Sequence, residues 1–468
     1  MVRVQELEKL FNPSTLAIIG ASNDTRKAGG RFLKGLIDGG YKGKLCPVNP
    51  NASEVLGIKN YQSVLDLPEY IDLAILTVPV GAVRKVIAEC AIERVKFAIV
   101  HAAGFSELGP EGKELEKEML RLGAAGGTRI LGPNCMGLNV PKARINTIVY
   151  GAAIHEPGRV AFIGQSGWVT ENVVVLGNER GLRFSKIVSI GNQSDLTIED
   201  IIEYLADDPD TGVIALYAEG LKRGKQFLKL VRETVKKKPV IVWKVGRSKT
   251  GARAASSHTG SLAGDSAVFD AVTEQTGLIP AHDLDELLDL MVGFSSPVYP
   301  EGKRLAILCE SGGGAVSSSD TAESNGLEVP LLSVEGQGQM VQTLTGIIPP
   351  FATPRNPVDI VWGPADNPAR LFVACGRIML REMDAAVMLN YQRFDESLAA
   401  QMAALRDEMA KPIFIVPGYV THNRPGMAVL TSKGVPAFET PARAVRVLAE
   451  VVRWVERATA LAEENPKH

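Results

Sequence analysis

The sequence predicts an α/β protein made of three consecutive parallel-sheet domains, and three observations carry that expectation. Short apolar, β-rich runs alternate with helical patterns almost from end to end, which is the rhythm of βα units. The runs stop at Gly, Pro, Asn or small residues, and the rhythm restarts twice, after a Pro157-Gly158 turn and after a Ser-Ser-Pro-Val-Tyr-Pro stretch at 295–300. The chain has 468 residues, 45% of them hydrophobic, so three domains of roughly 150 residues can each fill a core.

The first domain, 1–150, has buried strands at 15–20, 44–48, 73–78, 97–101 and 129–131. Between them a helix at 113–122 sets Leu115, Met119 and Leu122 on one face at three- and four-residue spacing. This domain reads as doubly wound and Rossmann-like. The second, 151–298, has strands at 159–163, 185–189, 213–217 and 240–245, with helices at 199–205 and 226–236. The third, 299–468, has strands at 304–308, 385–390 and 412–417 and a closing helix at 441–460. Both read as flavodoxin-like.

Composition excludes several function classes. Lys and Arg number 51 against 53 Asp and Glu, a formal charge of −2, so the chain lacks the electrostatic footprint of a nucleic-acid binder. Cys46, Cys90, Cys135, Cys309 and Cys375 lie far apart without a C-x-x-C, which points to core thiols in a reducing compartment and to no metal site in this chain. The first residues carry charges and no apolar h-region, and the run at 71–83 is broken by Pro79. A soluble, cytoplasmic protein with no membrane partner is expected.

Three segments carry chemistry. The first strand empties into Gly20-Ala21-Ser22, followed by Arg26, Lys27, Gly29, Gly30 and Arg31 at the start of a helix. A strand end facing a helix N-terminus offers N–H groups and partial positive charge to a phosphate or pyrophosphate, and Lys27 and Arg31 add full charges. The G-x-G-x-x-G spacing is absent, and Val48-Asn49-Pro50 stands where an NAD site places its acidic residue. Another nucleotide-bearing ligand fits these residues better; tight strand-helix packing alone would also require the glycines. Gly164-Gln165-Ser166-Gly167 repeats the arrangement in the second domain, either as an anion cradle or as a plain serine cap. It misses the hydrolase elbow G-x-S-x-G by one residue.

The stretch 246–264 holds four Gly and six Ser or Thr, with His258 between Ser257 and Thr259. Such a loop packs no core, so its length asks for a function. A neutral imidazole attacks phosphorus through one nitrogen when a carboxylate fixes the other. Glu219, after the apolar strand ending in Tyr217-Ala218, is the candidate carboxylate, because a buried charge there calls for a partner.

Ser257-His258-Thr259-Gly260-Ser261-Leu262-Ala263-Gly264, preceded by Gly246-Arg247-Ser248, resembles the phosphohistidine loop of the NDP-forming acyl-CoA synthetases, relatives of succinyl-CoA synthetase. The likeness is to the α subunit of the ADP-forming acetate-CoA ligase type. It continues in family order through Phe11-Asn12-Pro13, Gly20-Ala21-Ser22, Val48-Asn49-Pro50, Ala103-Gly104-Phe105-Ser106-Glu107, Gly132-Pro133-Asn134 and Asn356-Pro357-Val358-Asp359.

The resemblance implies interconversion of acyl-CoA, ADP and phosphate with acid, CoA and ATP through an acyl phosphate and a phosphohistidine. It implies His258 and Glu219 as catalytic residues and Gln165, Ser166 and Gly167 as the phosphate cradle. Gly20, Ala21, Ser22, Lys27, Asn49, Val78, Pro79, Ala103 and Asn134 would line the coenzyme A cleft. ATP or ADP with Mg2+ would sit on a partner ATP-grasp β subunit in an α2β2 or similar assembly, because the three domains leave no stretch for such a domain. An inactive CoA sensor or scaffold, or an NAD-dependent dehydrogenase, are the alternatives.

Two departures stand out. The family commonly has Ser-Gln-Ser-Gly and then small residues, whereas this chain has Gly164 first and Trp168 next, with Glu171 nearby. Trp168 and Glu171 are therefore acyl-pocket candidates for a small organic acid, a buried core indole being the other reading of Trp168. Cys309-Glu310-Ser311-Gly312-Gly313-Gly314 replaces an Asn-Ala-Gly-Gly-Pro-Gly type of turn.

Overall fold

In the computed structural model the described residues are 4–148, 156–253, 266–348, 353–361, 368–390 and 395–464. They carry three α/β sheets built of parallel strands, as the apolar runs imply, the second with an added antiparallel hairpin. The first sheet has strands β1 (Thr15–Ile19), β2 (Lys44–Val48), β3 (Leu73–Leu76), β4 (Phe97–Val100) and β5 (Arg129–Leu131), in the order β2-β1-β3-β4-β5 and all parallel. Helices α1 (Ala28–Asp38), α2 (Val80–Ile92) and α3 (Pro110–Gly126) make the crossovers. β3 and β4 are buried at every position, which is why they read as unbroken apolar runs rather than alternating ones.

The second sheet contains β6 (Gly137–Val140), β7 (Ile145–Asn146), β8 (Pro157–Gly164), β9 (Phe184–Ser189), β10 (Val213–Ala218), β11 (Val240–Lys244) and β12 (Ile279–Ala281). Its order is β12-β11-β10-β8-β9-β6-β7. The β6–β7 hairpin precedes residue 150, yet it pairs here: β6 runs antiparallel to β9, with Val188 opposite Leu138. Helix α4 (Gly167–Glu179) follows β8 directly.

The third sheet has β13 (Leu305–Cys309), β14 (Val358–Asp359), β15 (Ala385–Asn390) and β16 (Ile413–Pro417), in the order β14-β13-β15-β16. Its core is rich in methionine, with Met340, Met379, Met383, Met388 and Met402 buried around Phe372. Helix α5 (Gly312–Ser324) starts at Ser311, whose Oγ accepts the Gly314 N–H at 3.4 Å, so a serine cap starts a glycine-rich helix of low propensity.

By contacts the chain separates into two compact units, Met1–Val175 with Phe184–Leu284, and Leu176–Arg183 with Asp285–His468. The first two sheets fall in the first unit. All five cysteines are buried and unbridged, as expected of core thiols, and burial pushes the Cys135 thiol up to about 12. Among the described residues no helix is long and apolar enough to cross a membrane.

Candidate functional site at two adjoining sheet edges

In a parallel sheet the loops beyond the carboxyl ends of the strands gather on one edge, where ligands bind. The nine residues assigned to the CoA cleft all follow such ends: Gly20, Ala21, Ser22 and Lys27 after β1, Asn49 after β2, Val78 and Pro79 after β3, Ala103 after β4 and Asn134 after β5. The helices after β1 and β3 leave the sheet in opposite senses, so the topological switch lies between these two strands.

The β1 turn is fixed from both sides. Gly20 and Ala21 donate their N–H groups to the Val48 carbonyl at 2.9 and 3.2 Å, and Asn49 Nδ2 donates to the Ala21 carbonyl at 2.7 Å. Gly20 has φ +90°, and a Cβ on it would lie 3.1 Å from Val78. A Cβ on Gly29 would lie 2.0 Å from the Gly20 carbonyl oxygen. Close packing thus requires that glycine, and the same packing brings the α1 N-terminus against the loop, with Lys27 exposed at its cap.

In the second sheet, β8 ends at Gly164 and the loop places three candidates together. The Gln165 side chain is buried and reaches the next strand, its Oε1 accepting the N–H groups of Glu219 at 2.8 Å and Gly220 at 3.1 Å. That leaves the Nε2 hydrogens as the groups this side chain has to offer an anion. Ser166 Oγ accepts the Val169 N–H at 3.4 Å, and its carbonyl accepts the Thr170 N–H at 3.0 Å and the Thr170 hydroxyl at 2.7 Å. The N-terminus of α4 therefore opens at Ser166-Gly167, a position favourable to negative charge.

Thr170 also accounts for Gly164. A Cβ at Gly164 would fall 1.9 Å from Thr170 Oγ1, so the buried threonine fills the space that a side chain at position 164 needs. Gly164→Ser is expected to lower stability by about 1–3 kcal/mol in denaturant unfolding, and adding Thr170→Ala is expected to return most of the loss.

Glu219 follows β10 and is 7% exposed. The Tyr217 hydroxyl donates to its Oε1 at 3.4 Å, and burial, then the charge of Glu219, push that phenol's pKa up. Lys244, at the end of β11, donates from Nζ to the Glu219 carbonyl at 2.9 Å and to the Val245 carbonyl. Burial lowers the Lys244 pKa; the Glu219 carboxylate opposes the shift and Arg247 adds to it. From the other side Gln193 Nε2 donates to the Gly220 carbonyl at 3.2 Å while its Oε1 accepts the Ile198 N–H at 3.1 Å. The Glu219-Gly220 turn is thus held by Gln165, Lys244 and Gln193. β11 leads into the loop that carries His258, and His258 lies outside the described residues.

Trp168 is 67% exposed, so the buried-indole reading is overturned: position 168 is in the first turn of α4 and points away from the sheet core. Glu171 lies one turn on and is half-buried. The two sheet edges adjoin here. Asn134 and Met136 belong to one short segment, and the Met136 Sδ lies 3.1 Å from where a Gly167 Cβ would be.

Asn192, after β9, ties that segment down. Its N–H donates to the Pro133 carbonyl at 3.0 Å, and its Nδ2 donates to Glu107 at 2.8 Å, Ser106 at 3.2 Å and Glu116 at 3.2 Å. Burial alone would raise the Glu107 pKa, but donors from Gly104, Asn192 and Phe105 hold it below the usual range. Sequence reasoning missed Met136, Asn192, Gln193 and Lys244. Only the position of Lys244 and Asn192 at or just beyond strand ends could have drawn attention to them.

Residues 14–141 match the CoA binding domain family, and residues 157–294 match the Succinyl-CoA ligase like flavodoxin domain family. The α subunit of acetate-CoA ligase (ADP-forming) II from Pyrococcus furiosus is 35% identical over 447 residues, which span 93% of this chain and 95% of that one. The chain belongs to the family of ADP-forming acetate-CoA ligase α subunits.

Among other relatives, the acetate-CoA ligase (ADP-forming) I of Archaeoglobus fulgidus is 35% identical across 96% of this chain, which spans 64% of that longer relative. A solved chain of acetyl-coenzyme A synthetase 1 from Ca. Korarchaeum cryptofilum, in complex with phosphate and ADP, superimposes with a TM-score of 0.87 at 34% identity over 99% of both chains. The resemblance and the fold class drawn from the sequence are borne out, and neither the sensor nor the dehydrogenase alternative is favoured.

Proposed function

We propose that this chain is the CoA-handling and phosphoryl-carrying subunit of an ADP-forming acid-CoA ligase. Phosphate attacks the thioester carbonyl of acyl-CoA, and the CoA thiolate leaves, giving an acyl phosphate. The neutral His258 imidazole attacks the phosphorus of that intermediate, and the free carboxylate leaves. The β-phosphate of ADP then takes the phosphoryl group from His258 and forms ATP, all steps being reversible.

The observation that carries this reading is the junction at the α4 N-terminus. Met136, two residues from the CoA candidate Asn134, abuts Gly167 of the candidate phosphate cradle. A thiol end of CoA held by the first edge would reach an acyl phosphate held by the second. Gly20, Ala21, Ser22, Lys27, Asn49, Val78, Pro79, Ala103 and Asn134 hold CoA in this account. The α4 N-terminus with Gln165, Ser166 and Gly167 holds the phosphoryl group, and Glu219 orients and charge-balances His258.

The nucleotide step belongs to a partner. The relative from Pyrococcus furiosus is named as an α subunit, and we assign ADP and Mg2+ to an ATP-grasp β subunit in an α2β2 or similar assembly. The purified chain is expected to bind CoA, by calorimetry, and to form no ATP from acyl-CoA, ADP and phosphate. Adding the β subunit is expected to start ATP formation. Sustained ATP formation by the chain alone would contradict this division.

A further inference from the structure

Among the described residues Trp168 is the one strongly exposed tryptophan, with two thirds of its surface open to solvent. It stands in the first turn of α4, immediately after the Gln165-Ser166-Gly167 loop. An indole with two thirds of its surface open adds only part of its packing value to the fold; a ligand that covers it would add the rest. The adjoining edge brings a second apolar group to the same helix start: the half-buried Met136, whose thioether abuts Gly167. An indole and a thioether thus flank the candidate cradle, and both surfaces adapt to apolar or flat groups.

On the same helix face, three residues beyond Trp168, stands the half-buried Glu171. If the acyl group runs along this face from the helix N-terminus, its far end meets the Glu171 carboxylate. A second carboxylate on the substrate would meet this charge and be disfavoured.

We infer that Trp168 and Met136 form an apolar wall for the acyl group, so that this chain favours a monocarboxylic acid whose side chain is large enough to cover an indole over both acetate and a dicarboxylate. The inference rests on the phosphoryl-transfer reading given above. The acyl phosphate formed at the α4 N-terminus has to project its side chain out of the cradle, and Trp168 and Met136 are the apolar groups the structure sets beside it. A two-carbon acyl group is too short to use such a wall, whereas an aryl or branched side chain buries itself against the indole.

The test is an acid panel with the chain assembled with its β subunit: acetate, isovalerate, phenylacetate and succinate, read as kcat/KM. The unsubstituted enzyme is expected to use isovalerate or phenylacetate about tenfold better than acetate. Trp168→Ala is expected to lower that ratio about tenfold, and Trp168→Phe is expected to retain most of it. Glu171→Gln is expected to raise use of succinate relative to acetate about threefold.

An unchanged ranking in Trp168→Ala, with turnover intact, overturns the inference and leaves the phosphoryl-transfer reading standing. Where Trp168→Ala fails to assemble with the β subunit, Trp168→Phe carries the test: an assembled Trp168→Phe enzyme that keeps the preference for the larger acids supports the inference, and one that loses it overturns it. Absence of any His258-dependent turnover, for every acid, overturns the phosphoryl-transfer reading itself and the inference with it.

Discussion

His258→Ala, in the enzyme assembled with its β subunit, is expected to lose ATP formation from acyl-CoA, ADP and phosphate by on the order of 10⁴-fold or more. The reason lies in the separation of two chemical sites. In the mechanism proposed above the acyl phosphate forms where CoA and the α4 N-terminus meet, and ADP binds on the β subunit. A covalent carrier has to connect them, which is the role proposed for His258. Without the imidazole the phosphoryl group has no carrier to ADP, so the acyl phosphate returns to acyl-CoA by attack of the CoA thiolate or is hydrolysed by water, and no ATP forms. Calorimetric CoA binding by the His258→Ala chain separates this loss from a folding defect.

Glu219→Gln is expected to slow phosphorylation of His258 by about 10²–10⁴-fold while the protein stays folded. The amide has the carboxylate's shape, and the backbone contacts that hold position 219 do not involve its side chain: the N–H goes to Gln165 and the carbonyl accepts from Lys244. On the proposed reading, what is lost is the negative charge that offsets the imidazolium-like phosphohistidine. Lys244 reports the change, because its pKa is lowered by burial and held up by the Glu219 charge. Removing that charge lowers it further, which a shift of the Lys244 Nζ-attached signals with pH measures. Glu219→Asp is expected to recover part of the rate. A Glu219→Gln enzyme that phosphorylates His258 at the unsubstituted rate would remove Glu219 from the mechanism.

The first sheet was legible because its strands are buried on both faces and so appear as continuous apolar runs such as Leu-Ala-Ile-Leu at 73–76. Elements that depend on partners distant in sequence were not. The two-residue strand Val358–Asp359 has no run of its own and exists through pairing with Leu308 and Cys309. The β6–β7 hairpin sits next to the first domain in sequence, and its place in the second sheet is fixed by register with Phe184–Ser189, which no local pattern encodes. Gly312–Ser324 is helical despite three leading glycines because Ser311 caps it and because it packs on its own sheet.

The same division holds at the site. Gln165, Ser166, Gly167 and Glu219 could be picked out because apolar strands end at small or charged residues there. Met136, Asn192, Gln193 and Lys244 take their roles from contacts made across 25 or more positions in most cases, as in the bonds from Lys244 to Glu219 and from Gln193 to Gly220. The exposure of Trp168 was likewise beyond the sequence, since an apolar side chain on a helix has two faces to choose from and packing decides between them.

The most direct measurement of the central claim is the fate of radiolabelled phosphate. The assembled enzyme is incubated with it and with acetyl-CoA or phenylacetyl-CoA, quenched in base, and digested for mass spectrometry. The account predicts a base-stable, acid-labile phosphoryl group on His258 that depends on acyl-CoA, passes to ATP on addition of ADP, and is missing from His258→Ala. Label on another residue, or rapid ATP formation with His258 never phosphorylated, would contradict it.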